Sequence, residues 1–194
     1  MEEAMTSLSS KFEFRVRWEP YFLKPDAPPG GTPIPPEYAD PRNPRTQHLW
    51  EVGSSLGIEF KKDRKKFANT AMGHALLEYA KVVNGGEKQD LVAEKLFKRC
   101  FTNGEDLLLQ SCLDVASEVG FNQDEVRVYL QNPQSQEKVM EKARAWAAKG
   151  ISGVPTFYMN GHKMFSGAQD PPVFERMFEI ASERLPTDTP SSKT

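Results

Sequence analysis

The sequence predicts an α/β fold in which an all-helical block interrupts a small sheet. Three observations lead to this prediction. Residues 12–18 alternate apolar and polar side chains as a strand does, residues 45–149 carry apolar side chains at helical spacing, and residues 156–165 return to a strand pattern around an Asn-Gly pair. A strand, a run of helices, a hairpin and a last helix follow one another as in a sheet that carries helices on its faces.

The composition is that of an ordinary globular protein of 194 residues. Apolar residues make up 38% and charged residues 27% of the chain, and the net charge is −2. The 25 basic and 27 acidic side chains are spread evenly, so no basic face for nucleic acid is indicated. No apolar run approaches the roughly 18 residues of a membrane span, and the N-terminal MEEAMTSLSS lacks the regions of a secretory signal. We therefore expect a soluble, cytoplasmic protein with neither nucleic-acid nor membrane partners.

The first 44 residues are predicted to contain a helix, a strand and an irregular crossing. Residues 1–8 carry apolar side chains at helical spacing, and residues 12–18 alternate strictly, which indicates a strand with one buried face. Nine of the fifteen prolines fall in residues 20–44, a density that excludes a long helix or a central strand. Residues 21–23 (YFL) are expected to pin the start of this crossing to the core.

Residues 45–149 are predicted to form six helices, each with an apolar stripe. Asn69 or Thr70 is expected to cap the second helix, and glycines are expected to end most of the others. The stripes are Leu49, Val52 and Leu56; Met72, Leu76, Ala80 and Val83; Val92, Leu96 and Cys100; Leu108, Cys112, Val115, Ala116 and Val119; residues 124–130; and Val139, Ala143, Trp146 and Ala147.

A hairpin and a helix are predicted to follow. Asn160-Gly161 favours a type I′ turn because both residue types tolerate positive φ. Asp170 can cap a last helix that has Pro171 at its first position. Residues 186–194 (PTDTPSSKT) are polar and are predicted to be a disordered tail.

Four stretches of the chain form a recognisable combination. They are residues 150–157 (GISGVPTF) with Asn160-Gly161 and residues 166–169 (SGAQ), residues 17–26 (RWEPYFLKPD), Asn69-Thr70 with His74, and residues 97–104 (FKRCFTNG). This combination resembles the DsbA-like, FrnE-type family of thioredoxin-fold proteins, and it covers nearly all of residues 1–185.

The resemblance implies a thioredoxin-like fold with an all-helical insertion. Residues 1–185 are then a single domain, with its core in residues 1–44 and 150–185 and its insertion in residues 45–149. The family places Cys-Pro-x-Cys at the start of its first long helix, where the helix dipole stabilises a thiolate. This sequence contains no Cys-x-x-Cys. Residues 1–8 align with the end of that helix, so we expect an N-terminally truncated fold in which Met1 is an internal methionine of a longer protein, and no catalytic residue among residues 1–194.

The same resemblance implies a substrate-binding loop. Val154-Pro155 is expected to be the cis-proline loop, whose backbone pairs with an extended peptide or with glutathione, and Thr156 follows it in the strand. Asn69 is a further candidate because it matches the start of the family's insertion. Ser166 and Gln169 are candidates because kappa-class glutathione transferases use a comparable loop, although a tight turn before a helix explains the same residues without a ligand.

Other residues with reactive or charged side chains have two interpretations each. Cys100 and Cys112 are either a displaced redox pair or, as we expect from their place on apolar stripes, structural thiols. His74 is either an acid–base group or a packing histidine, and we favour packing. The basic run 61–66 (KKDRKK) is either a solvated loop or an electropositive rim for carboxylates. No spacing indicates a metal site.

Three functions are consistent with these features. The first is a thiol-disulfide oxidoreductase that acts on a cysteine-containing protein or a glutathione-like thiol, inactive in this chain because its nucleophile is absent. The second is a glutathione-dependent transferase or isomerase, related to the kappa-class transferases and the 2-hydroxychromene-2-carboxylate isomerases. The third is a non-catalytic, partner-binding form. No cofactor is expected, and glutathione is the candidate co-substrate.

Overall fold

The computed structural model describes residues 1–185, and the predicted tail 186–194 lies outside the described residues. The chain forms two compact units, Met1–Val16 with Trp146–Thr194, and Arg17–Ala145. Residues 17–44, expected to belong with the core, therefore make their contacts mainly with the helices. The division into core and insertion stays a prediction. None of the helices within residues 1–185 is long and apolar enough to cross a membrane.

The first unit contains a hairpin between two terminal helices. Its elements are α1 (Glu2–Ser7), β3 (Thr156–Met159), β4 (His162–Ser166) and α9 (Pro171–Arg184). The strands pair antiparallel, and Asn160 and Gly161 have φ of 48° and 81°, which confirms the predicted turn. Rings of the hairpin pack on α9, with the Phe157 and Phe174 centroids 4.9 Å apart.

The strand predicted over residues 12–18 is not formed. Its side chains do alternate between half-buried and exposed, and the Phe14 ring packs on Phe178 of α9 at 4.7 Å. However, within residues 1–185 neither two-stranded sheet includes this segment. The prediction was wrong because alternation reports which face is buried, whereas a strand also needs a partner that offers ladder hydrogen bonds.

The second unit is mostly helical, as predicted. Its elements are β1 (Thr32–Pro33), α2 (Pro36–Ala39), α3 (Pro44–Ser55), β2 (Lys66–Phe67), α4 (Ala71–Val82), α5 (Gln89–Phe97), α6 (Leu109–Glu118), α7 (Gln123–Gln131) and α8 (Pro133–Ala148), which runs on into the first unit. Most of the predicted apolar side chains of α4 to α7, together with Val139 of α8, form one core, in which Leu76 and Val92 are fully buried. Leu113, which no predicted stripe included, is also fully buried there, whereas Leu108 and Ala147 of the predicted stripes are exposed.

The proline-rich crossing is more regular than predicted. Pro36 starts the short helix α2, where a proline at the first position sacrifices no helical hydrogen bond. Thr32 and Pro33 pair with Phe67 and Lys66 as a minimal antiparallel ladder. At the start of the crossing, Phe22 packs on the helical core as expected, whereas Leu23 is exposed.

The apolar stripe of α3 does not face the core. Leu49 and Leu56 are 53% and 70% exposed, whereas Thr46 and Gly53 are the buried positions of this helix. Positions 46 and 53 lie on one face because seven residues make nearly two turns. The buried face of α3 is therefore made of the small residues Thr46 and Gly53, which the spacing of the apolar residues did not predict.

Candidate functional site

The predicted substrate loop lies at the start of β3. The Val154–Pro155 peptide is cis, and Val154 is 50% exposed. The Thr156 hydroxyl donates to the Gly153 carbonyl at 2.8 Å, which ties the residue after the loop to the residue before it. Val154 and Pro155 are therefore exposed, and the residues on either side of them, Gly153 and Thr156, are joined by a hydrogen bond.

The strand β4 supports this loop from one side. The Gly167 N–H donates to the Pro155 carbonyl at 2.8 Å, and the hydroxyls of Ser166 and Thr156 lie 3.0 Å apart. Ser166, a separate candidate from the sequence, therefore lies beside the loop. Gly167 has φ of 88°, a conformation that favours glycine, and the sequence analysis did not single it out for this role. Its position directly after a strand was the available signal.

The start of α9 offers a poorer anion site than its sequence position suggested. Pro171 and Pro172 occupy its first two positions and have no N–H to donate. The Val173 N–H already donates to the Asp170 carbonyl at 3.0 Å. Gln169 is exposed ahead of them. A carboxylate bound here would depend on side chains such as those of Ser166 and Gln169 and not on helix N–H groups.

Asn69 is part of the helical unit. Its Oδ1 accepts from the Ala71 N–H at 2.9 Å, and its Nδ2 donates to the Ala27 carbonyl at 2.7 Å. The N-cap residue of α4 is Thr70, whose side chain makes no capping bond. Asn69, one residue earlier, instead accepts from the first N–H of the helix and holds the proline-rich crossing against it. Both ends of the amide are occupied by these structural bonds.

The two cysteines are buried and unpaired with each other, as expected of structural thiols. Burial raises the pKa of Cys112 to about 12. Burial also raises the pKa of Cys100, against the opposing effect of the nearby Arg64 guanidinium. A thiolate is the reactive form of cysteine, so neither residue is poised as a nucleophile at neutral pH.

His74 packs inside the helical unit. Its ring lies edge-on to Phe22, with centroids 4.7 Å apart, and it is hydrogen-bonded to the backbone of Tyr21. Desolvation by burial lowers its pKa to about 4. A neutral packing histidine, which we favoured, fits this environment. Within residues 1–185 no group of three or more His, Cys, Asp or Glu side chains is arranged to hold a metal ion.

All residues of the basic run 61–66 except Lys62 line an open pocket, together with Ala68 and residues 104–106. The acidic residues Glu105 and Asp106 on its far wall were not singled out in the sequence. Some forty residues separate them from the basic run, and no periodicity links the two segments. The pocket exists only because α5 is followed by a π-helix, Lys98–Asn103, after which residues 104–106 lie against the loop before β2.

Comparison with known proteins agrees with this description. The family model of the DSBA-like thioredoxin domain matches residues 1–179. The chain belongs to this family, and the predicted thioredoxin-like fold with a helical insertion is confirmed. The family is one of thiol-oxidoreductase-like proteins.

A solved structure provides the second comparison. The crystal structure of a probable DsbA oxidoreductase from Streptomyces coelicolor is similar to this chain with a TM-score of 0.73 and 21% sequence identity. The match covers 97% of this chain and 84% of that chain. At this identity the likeness concerns the fold. A comparison with curated protein sequences finds no match.

Proposed function

We propose that this chain is the substrate-holding part of a thiol-disulfide oxidoreductase. The observation that carries the proposal is the loop at Val154. Its side chain is half exposed, and within residues 1–185 its backbone N–H and carbonyl bond to no other group. Family membership gives this loop its context, because the family is one of thiol-oxidoreductase-like proteins.

The loop is suited to an extended peptide. Backbone groups that make no internal hydrogen bond can pair with a second chain, as in strand addition to a sheet. Pro155 and Thr156 are fixed by bonds to Gly167 and Gly153, so their geometry is set before a substrate arrives. Preorganisation of this kind reduces the entropy cost of binding. We therefore propose a cysteine-containing protein segment as the substrate.

The chemistry of this class needs a thiolate that the described residues do not offer. The thiolate attacks one sulfur of a substrate disulfide, so that a mixed disulfide forms and the other substrate sulfur leaves as a thiolate. A second cysteine of the enzyme then attacks the sulfur of the first, which forms an enzyme disulfide and releases the remaining substrate sulfur as a thiolate. Cys100 and Cys112 are buried thiols with raised pKa values. We therefore propose that residues 1–194 alone bind substrate without reducing it.

A binding experiment tests the loop. An extended, cysteine-containing peptide is titrated into the 1–194 chain while backbone amide signals are followed by NMR. The largest shifts are expected at residues 153–157. Val154→Asp should weaken binding about fivefold, because a charge replaces an apolar contact of about 1 kcal/mol. Val128→Asp is the matched control, since Val128 is also exposed but lies on α7. Equal affinity of the two variants would refute the loop as the binding site.

An activity assay tests whether residues 1–194 can catalyse disulfide reduction on their own. The 1–194 chain should not accelerate insulin reduction by dithiothreitol above the protein-free rate. Acceleration that disappears in the Cys100→Ser or the Cys112→Ser variant would show that the chain catalyses the exchange with its own thiols, contrary to the proposal.

Glutathione is a second candidate ligand for the same loop. Ser166 lies beside Thr156, and Gln169 is exposed nearby, so two polar side chains are available at this edge. The prolines at the start of α9 count against it, because they remove two donors for a carboxylate. Titration with reduced glutathione tests this directly. Shifts at residues 154 and 166–169 would favour glutathione-dependent chemistry of the kappa type, and their absence would favour a protein substrate or a purely partner-binding role.

A further inference from the structure

A pocket of about 240 Å³ lies in the helical unit between the basic run and residues 104–106. Its size is below the roughly 300–1,000 Å³ of sites that take drug-sized ligands. The pocket therefore suits a small ion, or one end group of a larger molecule.

The walls of the pocket are held together at both ends. The Lys61 N–H donates to the Phe101 carbonyl at 2.8 Å, and the Lys66 ammonium lies 2.6 Å from the Asp106 carboxylate. Gly104 allows the close approach, because a Cβ at this position would lie 2.9 Å from Lys61 Cγ. The pocket is thus formed by two segments, residues 61–68 and 104–106, that are bonded to each other.

The acidic groups of the pocket already have cationic partners. Asp106 pairs with Lys66, Asp63 lies 3.3 Å from the Lys61 ammonium, and Glu105 lies 2.8 Å from the Arg99 guanidinium. Two cations of the lining remain, Arg64 and Lys65. Among the described residues, neither has a carboxylate within ion-pair distance.

Arg64 is the better placed of these two cations. Its side chain is half-buried, and its guanidinium lies over the Phe101 ring with 5.4 Å to the centroid. Within residues 1–185 its one polar contact is Nη2 to the Cys100 sulfur at 3.9 Å, and a thiol is a weak acceptor. The guanidinium therefore lies against an aromatic ring, and among the described residues most of its N–H donors have no acceptor. That fork matches the oxygens of a carboxylate or a phosphate.

We propose that this pocket binds a small oxyanion, a carboxylate or a phosphate group, through the guanidinium of Arg64 and the ammonium of Lys65. The Lys65 carbonyl accepts from the Ile34 N–H at 3.0 Å, which anchors the backbone of the second cation. The site lies wholly within the helical unit. The proposal does not depend on the substrate loop at Val154, so either one can be refuted without the other.

Titration with two simple probes tests the site. Inorganic phosphate and succinate are titrated separately into the full 1–194 chain at low ionic strength, and binding is followed by calorimetry and amide NMR. Saturable binding with shifts at residues 61–66 and 104–106 is expected for at least one probe. The tighter probe identifies which oxyanion the site prefers. Added salt should weaken the binding, because the interaction is between charges.

Charge-removing variants locate the binding. Arg64→Gln should weaken it about tenfold or more, the effect expected when a charge-assisted hydrogen bond is lost. Lys65→Gln should weaken it by a smaller factor and, as an exposed change, should leave the fold intact. Lys62→Gln is the matched control, because Lys62 belongs to the same run but lies over Trp50 and outside the pocket.

Two results would overturn the proposal. One is the absence of saturable binding by either probe. The other is an equal loss of affinity in the Lys65→Gln and Lys62→Gln variants, which would show that the run attracts anions only through its overall charge. A thermal melt of each variant separates loss of binding from loss of folding.

Discussion

Gln89 holds both backbone groups of Trp18 with its side-chain amide. The Trp18 N–H donates to Gln89 Oε1 at 3.0 Å, and Gln89 Nε2 donates to the Trp18 carbonyl at 2.9 Å. Gln89 is fully buried, and its Nε2 also donates to the Leu77 carbonyl at 3.1 Å. One side chain thus supplies the two hydrogen bonds that a neighbouring strand would otherwise make with this residue.

We therefore predict that Gln89→Leu lowers the free energy of unfolding by about 3 kcal/mol. Leucine has a similar volume but leaves the N–H and carbonyl of Trp18 without hydrogen-bond partners. Each buried polar group without a partner lowers the stability of the fold by about 1–3 kcal/mol. Urea unfolding measures the change. Gln110→Leu is the control, because Gln110 is exposed on α6 and its side-chain amide donates to the Asp114 carboxylate on the same helix. If Gln89→Leu loses no more stability than the control, then water must hydrogen-bond to the Trp18 backbone as well as Gln89 does.

This pair also shows where sequence reasoning succeeded and failed. The Asn160-Gly161 turn and the existence of the main helices were predictable because each depends on neighbouring residues, although Cys100, predicted on the same helix as Val92, lies beyond the end of α5. The partner of Trp18 is 71 positions away, and nothing in the alternation of residues 12–18 reveals that a side chain, and not a strand, will occupy it. The Val154 loop was found through a resemblance. The basic run around Arg64 was visible in the sequence, whereas its meeting with residues 104–106 in one pocket was not, because no local pattern links two such distant segments.

His74 should make stability depend on pH. Its pKa is lowered to about 4 in the folded protein, below the 6.5 of an ordinary histidine. Between these values the unfolded chain binds the proton and the folded chain does not. Stability is therefore present above pH 6.5 and is lost as the pH falls towards 4. The contribution between pH 7.5 and pH 4.5 should be about 2–3 kcal/mol.

Urea unfolding of His74→Gln at both pH values measures this contribution. The variant cannot be protonated, so its stability should fall less on acidification than that of the parent chain. His162→Gln, a change of an exposed histidine, should keep the parent's pH dependence. A pH dependence that is the same in all three proteins would mean that His74 titrates normally in the folded state.

The two cysteines should be inert in the folded protein. Both are buried and their pKa values are raised, that of Cys112 to about 12. Because the thiolate is the reacting species, labelling by a thiol reagent at pH 8 should be slow for the native chain and complete in denaturant. Fast native labelling of one thiol would show that the helical unit opens readily.

Glu78 is a buried carboxylate that depends on a cation of α8. Its Oε2 pairs with Lys142, and its Oε1 accepts no hydrogen bond within the described residues and lies 3.9 Å from the Lys81 ammonium. Lys142→Met should therefore destabilise the protein by about 1–3 kcal/mol, because the charge left behind is poorly compensated.

A second substitution separates this charge effect from a loss of packing. Glu78→Leu combined with Lys142→Met removes both charges and should recover most of the lost stability. Lys138→Met, one turn earlier on α8 and exposed, should change the free energy of unfolding by less than about 0.5 kcal/mol. If the double variant is less stable than Lys142→Met, the carboxylate is tolerated without its partner.

Gly53 should be far less replaceable than the leucines of the same helix. A glycine-to-alanine change inside a helix usually stabilises it by up to about 1 kcal/mol. Here a Cβ would lie 2.5 Å from Cε2 of Phe60 and 3.0 Å from the Ile58 carbonyl oxygen, so the ring and the backbone after α3 must move. We expect Gly53→Ala to lower the free energy of unfolding by about 1–3 kcal/mol, the usual range for overpacking.

Leu49→Ser is the control, and it should change the free energy of unfolding by less than about 0.5 kcal/mol, because this side chain already faces solvent. Urea unfolding of both variants measures the contrast, and the reverse order would mean that α3 packs through its apolar stripe after all.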